Sequence, residues 1–262
     1  MTIRIALAQV TSTDDVDANL GTIDEYTNRA AAGGAQLVAF PEAMMRCFGG
    51  ASLAEIAQPL DGPWANAVRA IAEGAGITVA AGMFTPADDG RVRNTLLVTG
   101  GGVDAHYDKI HLFDAFGFAE SDTVSPGQQP LVVEIAGVRV GFAICYDVRF
   151  PGLFLTMADD GVQLNVVSAS WGAGPGKVEH WELLARARAL DTTTFVLACD
   201  QAPPADYHGS APRGVGHSLV AAPDGRVLKS LGEEPDLLVI DLDIDTVDVV
   251  RRSLPVLANR RF

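Results

Sequence analysis

The chain has 262 residues, of which 48% are hydrophobic, and this is enough to bury one large core or two small ones. The net charge is -14 without a basic stripe, no apolar run reaches the ~18 residues of a membrane span, and the first residues predict a strand rather than a secretion signal. Nucleic acid and membranes are therefore not expected as partners, and three cysteines without a C-x-x-C pair favour a reducing cytoplasm over a disulfide scaffold.

Short apolar runs alternate with helical patterns along the first half of the chain. The apolar runs predict buried strands, and apolar residues at helical spacing predict the helices between them. Pro63 suits the first turn of the second helix, and Gly74 or Gly76 ends it. The predicted strands cover residues 3–10, 35–40, 77–84 and 93–100, and the first predicted helix covers residues 14–32.

The same series of elements restarts at residue 138. The run "VRVGFAIC" (138–145) resembles "IRIALAQV" (3–10) position by position, and three later segments follow in the order of the first half. A single match between apolar strands is weak evidence, but four matches in one order indicate an internal repeat. The later segments are residues 161–170, 193–201 and 216–230.

The repeat predicts the fold class. Nearly continuous apolar strands that alternate with helices imply sheets covered by helices, and two such halves can pack sheet on sheet with the helices outside. We therefore predict one α/β domain over residues 1–262 with two pseudo-symmetric halves. Residues 236–262 predict a strand and a short helix that belong to neither half, and we expect this tail at a subunit interface.

Three ionisable residues follow predicted strands or a hairpin, where the sites of open α/β sheets gather. They are Glu42, Lys109 and Cys145, and they come from both halves, so a cleft between the halves can collect them. A carboxylate there takes the proton of the thiol, and the thiolate attacks an electrophilic carbon. An ammonium and the backbone N–H of Tyr146 stabilise the oxyanion, and the carboxylate then activates water to cleave the thioester.

The same residues also have ordinary structural interpretations. A free cysteine in an apolar run is most often a core residue, and Cys199 ends a similar run. Glu42 can serve as a charge at a helix N-terminus, and Lys109 as a solvated surface lysine. The residue pattern alone leaves the catalytic and the structural interpretations open.

Several segments resemble motifs of the carbon–nitrogen hydrolase (nitrilase) superfamily over nearly the full chain. "VAFPEA", "YDKIHLFD" and "CYDVRFP" are similar to its glutamate, lysine and cysteine motifs, and their spacing is typical of it. The resemblance implies Glu42 as the general base, Lys109 as the oxyanion-stabilising lysine and Cys145 as the nucleophile. "AESDTVSPG" resembles the segment that carries a second active-site glutamate, which falls on Glu120.

Within the superfamily the chain most resembles the omega-amidase and deaminated-glutathione amidase branch, in its cysteine motif and in the tail "RRSLPVLANRR". The resemblance implies an α-β-β-α sandwich that forms a homodimer with an α-β-β-α-α-β-β-α stack, or a larger homo-oligomer. It also implies hydrolysis of a small linear amide through a cysteine thioester, with release of ammonia and without a metal or organic cofactor. The alternatives are nitrile hydrolysis, N-carbamoyl hydrolysis, acyl transfer to an amine, and a non-catalytic binding protein on the same scaffold.

Three further residues lie near the predicted site. Trp171 follows a strand and either walls the pocket or packs against other side chains. Arg149, four residues after Cys145, either binds a substrate carboxylate or holds the loop by hydrogen bonds, and the loop role is preferred. Gly152 stands where the family motif usually has glutamate, and the loop before Glu120 is shorter than in many relatives. The five histidines show no metal-ligand spacing, so no metal site is expected.

Overall fold

The protein is described by a computed structural model that covers residues 1–50 and 52–261. Its first half contains five strands and two helices in the predicted order. These elements are β1 (Thr2–Gln9), α1 (Val16–Ala32), β2 (Leu37–Ala39), α2 (Pro63–Ala75), β3 (Thr78–Pro86), β4 (Val92–Gly100) and β5 (Val103–Asp108). A two-stranded hairpin follows, formed by β6 (Asp114–Ala115) and β7 (Phe118–Ala119).

The second half repeats this series and adds a strand before it. The added strand is β8 (Leu131–Ile135). The repeated elements are β9 (Val138–Ile144), α3 (Pro151–Asp159), β10 (Leu164–Ala169), α4 (Lys177–Thr192), β11 (Phe195–Asp200), β12 (Leu219–Ala221) and β13 (Val227–Ser230). The tail contains β14 (Asp236–Asp243), α5 (Asp245–Ser253) and α6 (Val256–Asn259).

Each half forms its own sheet, and the two sheets have equivalent strand orders. In the first sheet β1, β2 and β3 run parallel, and β4 and β5 continue antiparallel. In the second sheet β9, β10 and β11 run parallel, and β12 and β13 continue antiparallel. The complete orders are β14-β1-β2-β3-β4-β5 and β13-β12-β11-β10-β9-β8. The strand orders therefore confirm the two pseudo-symmetric halves.

Each sheet gains one antiparallel strand beside its first strand, β14 beside β1 and β8 beside β9. β8 was not predicted from the sequence, because only its last residue, Ile135, is buried and the apolar pattern of an edge strand is weak. β14 pairs with β1 along its whole length, from Asp236 opposite Gln9 to Asp243 opposite Thr2. The tail strand thus completes a sheet of its own chain, and residue 262 of the tail lies outside the described residues.

The layers follow from the alternation of side chains along the strands. In β1, Ile3 belongs to the same core as Phe142 of the second sheet, whereas Ala8 belongs to another core, which includes Trp64 of α2. Helices α3 and α4 cover the second sheet, where Trp181 of α4 joins the core. Both faces of each sheet are therefore buried, which explains why the strands are apolar at nearly every position. The arrangement confirms the α-β-β-α sandwich.

The helix ends follow local chemistry. Helix α2 begins at Pro63, whose missing N–H is not needed in a first turn, and it is capped by Gly76 with a φ of 69°. The left-handed conformation at this cap favours glycine. None of the helices within residues 1–50 and 52–261 is long and apolar enough to cross a membrane.

Candidate active site

The four predicted site residues line one cavity at the ends of the strands. Glu42 follows β2, Lys109 follows β5 and Cys145 follows β9. Glu120 begins a short 3-10 turn after the β6–β7 hairpin. The cavity has a volume of about 970 Å³ and is also lined by Tyr146. The sequence-predicted residues from both halves therefore meet in one place.

The ammonium of Lys109 lies between the two glutamates. Its Nζ is 3.0 Å from Glu42 Oε1, 3.0 Å from Glu120 Oε1 and 2.9 Å from Glu120 Oε2. All three side chains are buried, with exposed fractions of 6% or less. Backbone N–H groups fix the carboxylates: that of Ser170 donates to Glu42 Oε2 (2.9 Å), and that of Phe113 donates to Glu120 Oε2 (2.7 Å).

Two buried carboxylates share one ammonium, and this sets the proton affinities. Burial raises the pKa of Glu42 more than the charge of Lys109 lowers it, and the charge of Glu120 raises it further. Burial by itself lowers the pKa of Lys109, but the charges of Glu42 and Glu120 outweigh burial and raise that pKa well above its usual value. Lys109 is therefore an ammonium at neutral pH, and Glu42 is a stronger base than a solvated glutamate.

Cys145 is the first residue of a 3-10 turn and has a φ of 48°. A positive φ is uncommon for a residue with a side chain, and such conformations gather at functional sites. Cys145 is a partly exposed residue that lines the cavity, whereas Cys47 and Cys199 are buried. Burial and the charge of Glu42 raise the pKa of the Cys145 thiol well above its usual value, although Lys109 opposes this. The thiol is therefore protonated at neutral pH, and a base must take its proton.

Asp147 fixes the turn that carries Cys145. It is fully buried and accepts four hydrogen-bond contacts, one of them from the Ile144 N–H (2.9 Å) just before the cysteine. The Tyr107 hydroxyl donates to it (2.7 Å), as does the His111 N–H (2.9 Å), and His111 Nδ1 lies 2.7 Å away. Tyr107 and His111 flank the lysine of the site in sequence, so Asp147 ties the cysteine turn to the lysine segment.

The chain passes Glu42 in a strained conformation against β3. Ala43 has a φ of 60°, and a side-chain carbon placed on Gly82 of β3 would lie only 2.5 Å from the Ala43 backbone nitrogen. Glycine at position 82 is therefore required for the glutamate turn to pack directly on the strand.

Trp171 both packs and lines the cavity, so neither of its two predicted roles excludes the other. Its ring lies 5.3 Å from that of Trp181, and its Nε1–H donates to the Lys177 carbonyl (3.0 Å). Its backbone N–H donates to Asp200 Oδ1 (2.8 Å), and only 4% of the residue is exposed. These contacts hold the ring rigidly in the cavity wall.

Arg149 lines the cavity beside Trp171, and its guanidinium carbon lies 5.2 Å from the centre of the ring. Within residues 1–50 and 52–261 its guanidinium has no hydrogen bond and no carboxylate partner, so no contact there supports the preferred loop-holding role, and both roles stay predictions. Lys177 also lines the cavity, and its Nζ lies 6.0 Å from the same ring and 4.8 Å from the Phe116 ring. Two cations therefore lie near one tryptophan at the mouth of the cavity.

Gly152 lies away from these contacts. It occupies the first turn of α3 and is exposed, and a side-chain carbon added there would meet no atom of the described part of the chain within 4 Å. Glycine in place of the family's usual glutamate therefore leaves open space at the surface of α3 and does not change the lining of the cavity. Among residues 1–50 and 52–261, no three His, Cys, Asp or Glu side chains form a group that could hold a metal ion.

Sequence reasoning missed three buried polar residues that shape the site. Asn94 donates to both glutamates, and Asp147 holds the cysteine turn. Asp200 accepts the backbone N–H groups of Trp171 (2.8 Å) and Val215 (2.7 Å), and burial raises the pKa of Asp200 to about 8. Each lies in an apolar run or just beyond one, and an isolated polar residue in such a run is the signal that identifies buried bonding partners.

Comparison with known proteins gives full-length matches. Residues 4–252 match the family described as carbon-nitrogen hydrolase. A protein of Mycobacterium tuberculosis named a hydrolase is 56% identical over 98% of this chain and 95% of its own. The deaminated glutathione amidase of Escherichia coli is 34% identical over 98% of this chain and 97% of its own, and the omega-amidase of Xenopus tropicalis is 33% identical over 98% and 95%.

Among solved structures, an amidase from Nesterenkonia sp. AN1 matches with a TM-score of 0.79 and 30% identity. The match covers 97% of this chain and 98% of that chain. That structure, of a variant amidase, shows the product of Michael addition of acrylamide at the active-site cysteine. The similarity therefore extends over the whole sandwich and not only over the motifs.

Proposed function

The chain belongs to the carbon–nitrogen hydrolase family and acts on amides, and we propose that it cleaves a small linear amide through a thioester on Cys145. The buried cluster of Lys109 between Glu42 and Glu120, beside a strained cysteine turn, carries this proposal. Such a cluster supplies a base and a fixed positive charge without any histidine.

In the first half of the reaction Glu42 takes the proton of the Cys145 thiol, and the sulfur attacks the carbonyl carbon of the amide. The carbonyl oxygen becomes an oxyanion, which the Lys109 ammonium and the Tyr146 N–H stabilise. When the intermediate collapses, the C–N bond breaks, and the nitrogen takes the proton from Glu42 and leaves as ammonia. Glu120 keeps Lys109 in place and positions substrate or water.

In the second half of the reaction water replaces ammonia. Glu42, a carboxylate again, takes a proton from the water, and the resulting hydroxide attacks the thioester carbon. The C–S bond breaks, the thiolate of Cys145 takes the proton back from Glu42, and a carboxylic acid leaves. The adduct on the cysteine of the similar Nesterenkonia amidase supports a reactive thiol at this position.

The test is ammonia release from a panel of dicarboxylic monoamides, short aliphatic amides, nitriles and N-carbamoyl amino acids. We expect turnover of amides. In samples quenched with acid during turnover, the intact mass of the protein should be higher by the mass of the acyl group on Cys145. If only nitriles or only N-carbamoyl compounds are turned over, the amide assignment is wrong and nitrile hydrolysis or N-carbamoyl hydrolysis takes its place. An absence of any adduct and any ammonia would favour the non-catalytic binding protein.

We further propose that the acyl part of the substrate ends in a carboxylate. Arg149 and Lys177 line the cavity near Trp171, and neither has a carboxylate partner within residues 1–50 and 52–261, although the protein has a net charge of -14. Guanidinium and ammonium groups that have no acidic partner are suited to a substrate carboxylate. Trp171, which lies near both cations, lines the same cavity as Cys145.

Arg149→Gln is expected to lower kcat/KM for a dicarboxylic monoamide at least about tenfold, which corresponds to ~1.4 kcal/mol. The same variant should change kcat/KM for a neutral aliphatic amide of the same length less than about twofold, because that substrate has no carboxylate that could bind Arg149. The matched control is Arg252→Gln, at an exposed position of α5. Equal losses for the charged and neutral substrates would contradict the carboxylate site.

Assembly and location remain predictions from the family resemblance. We propose a homodimer or larger homo-oligomer in which residues 236–262 lie at the interface, a single domain over the whole chain, and a cytoplasmic location. A small amide is the proposed partner, and no cofactor, nucleic acid or membrane is invoked.

A further inference from the structure

We infer that Asn94 is a positioning residue that selects which oxygen of Glu42 receives the proton of the nucleophile. The inference rests on the proposed function, in which Glu42 acts as the base. Asn94 lies on β4 opposite Phe84 of β3, and only 1% of it is exposed. A buried amide without hydrogen bonds is costly, so its partners are informative.

The side chain and backbone of Asn94 reach all three charged residues of the cluster. Its Nδ2 donates to Glu42 Oε1 (2.7 Å) and lies 3.3 Å from Glu120 Oε1. Its backbone carbonyl accepts the N–H of Lys109 (2.9 Å). One residue therefore sets the separation of the two carboxylates and the start of the lysine segment.

The chemistry of the partners fixes the orientation of the amide. An ionised carboxylate only accepts hydrogen bonds, so the NH₂ group of Asn94 and not its oxygen faces the glutamates. Each of the two N–H groups then serves one carboxylate. The amide thereby bridges two like charges as a neutral donor, beside the bridge that Lys109 makes as a cation.

The two oxygens of Glu42 consequently differ. Oε1 accepts from both Lys109 and Asn94, which uses its two lone pairs. Among residues 1–50 and 52–261, Oε2 accepts one hydrogen bond, from the N–H of Ser170 (2.9 Å), and its second lone pair has no partner there. The proton from Cys145 therefore goes to Oε2, and Asn94 reserves that oxygen for the reaction by occupying Oε1.

The test replaces Asn94 by leucine, which keeps the branched shape and removes both donors. A hydrogen bond to an ionised carboxylate lowers its pKa, so its loss should raise the pKa of Glu42. In a plot of kcat/KM against pH, the acidic limb should then move up by about one pH unit. We also expect kcat to fall at least tenfold and KM to change less than about threefold. Asn94→Ser retains one hydroxyl donor, so its acidic limb should shift less than that of Asn94→Leu.

The matched control is Asn165→Leu on β10. Asn165 is equally buried, and its Nδ2 donates to Thr194 Oγ1 (2.8 Å), away from the cavity. Asn165→Leu should lower the stability of the protein as Asn94→Leu does, but it should leave the acidic limb of the pH profile of kcat/KM unshifted. An unshifted limb in Asn94→Leu, or in Asn94→Ser if the leucine variant does not fold, would overturn the inference.

The pH dependence of Cys145 alkylation by iodoacetamide provides a readout without turnover. If no amide is hydrolysed, the proposed function fails, but the alkylation profile still reports whether the thiol loses its proton through Glu42. A midpoint that moves up by about one unit in Asn94→Leu supports the positioning role. A midpoint that does not move contradicts it.

Discussion

Cys145→Ala is expected to lower the rate of ammonia release by about 10⁴-fold or more, because no other side chain of the site can form the thioester. Steady-state turnover of the best amide of the panel measures this loss, and intact mass measures the disappearance of the acyl adduct. The fold should survive, since the substitution removes a single sulfur atom from a partly exposed residue that lines the cavity, so the melting temperature should change by about 5 °C or less.

The matched control for this variant is Cys47→Ser. Cys47 is buried outside the cavity, and its sulfur lies 3.7 Å from Asp14 Oδ1, a contact that a hydroxyl can replace. Turnover should remain within about twofold of wild type, as for most substitutions away from a site. Residual ammonia release by Cys145→Ala above about 1% of wild type would mean that another group attacks the amide.

Lys109→Met is expected to remove activity and about 3–5 kcal/mol of the free energy of unfolding at neutral pH, because it leaves two buried carboxylates without a counter-charge. The loss should depend on pH. Burial already raises the pKa of Glu42, and the variant loses the charge of Lys109 that lowers it. Above the usual pKa of a glutamate the folded state then binds more protons than the unfolded state, so the stability of the variant falls as pH rises through the neutral range. In the wild type the pKa of Lys109 is raised well above its usual 10.5, so the stabilisation by this ammonium persists throughout that range.

Urea denaturation at three pH values between 5 and 8 measures the effect of Lys109→Met. Lys229→Met is the control, because Lys229 is exposed and its Nζ contacts only the Val239 carbonyl (3.1 Å) among the residues described. This variant should change stability by about 0.5 kcal/mol or less at every pH. A loss in Lys109→Met that is the same at pH 5 and pH 8 would contradict the charge cluster as the cause.

The fold was largely predictable because local patterns carry it. Apolar runs of strand length, helical spacing and the restart at residue 138 predict two similar halves, and burial on both faces makes each run apolar throughout. The exceptions are at the edges. β8 was not predicted because it is half-exposed. The pairing of β14 with β1 was not predicted because it joins opposite ends of the chain, which no local pattern specifies.

The candidate site shows the same division. Glu42, Lys109, Glu120 and Cys145 were identified from motifs that lie in short continuous segments, and the fold brings all four to one cavity. Their electrostatics were not predictable from those segments. Burial and the charge of Glu42 raise the pKa of the Cys145 thiol more than the charge of Lys109 lowers it, and this balance depends on residues from separate segments.

The sequence by itself determined the class of fold, the two halves and the identity of the charged residues, because these depend on neighbours along the chain. Only the tertiary structure decided which buried polar groups share bonds. Asn94 meets Glu42 across 52 residues and Glu120 across 26. Arg149 lies beside Trp171 and has no carboxylate partner among residues 1–50 and 52–261. Such contacts depend on how distant strands pack, and the proton affinity of each group follows from the burial and charge that this packing creates.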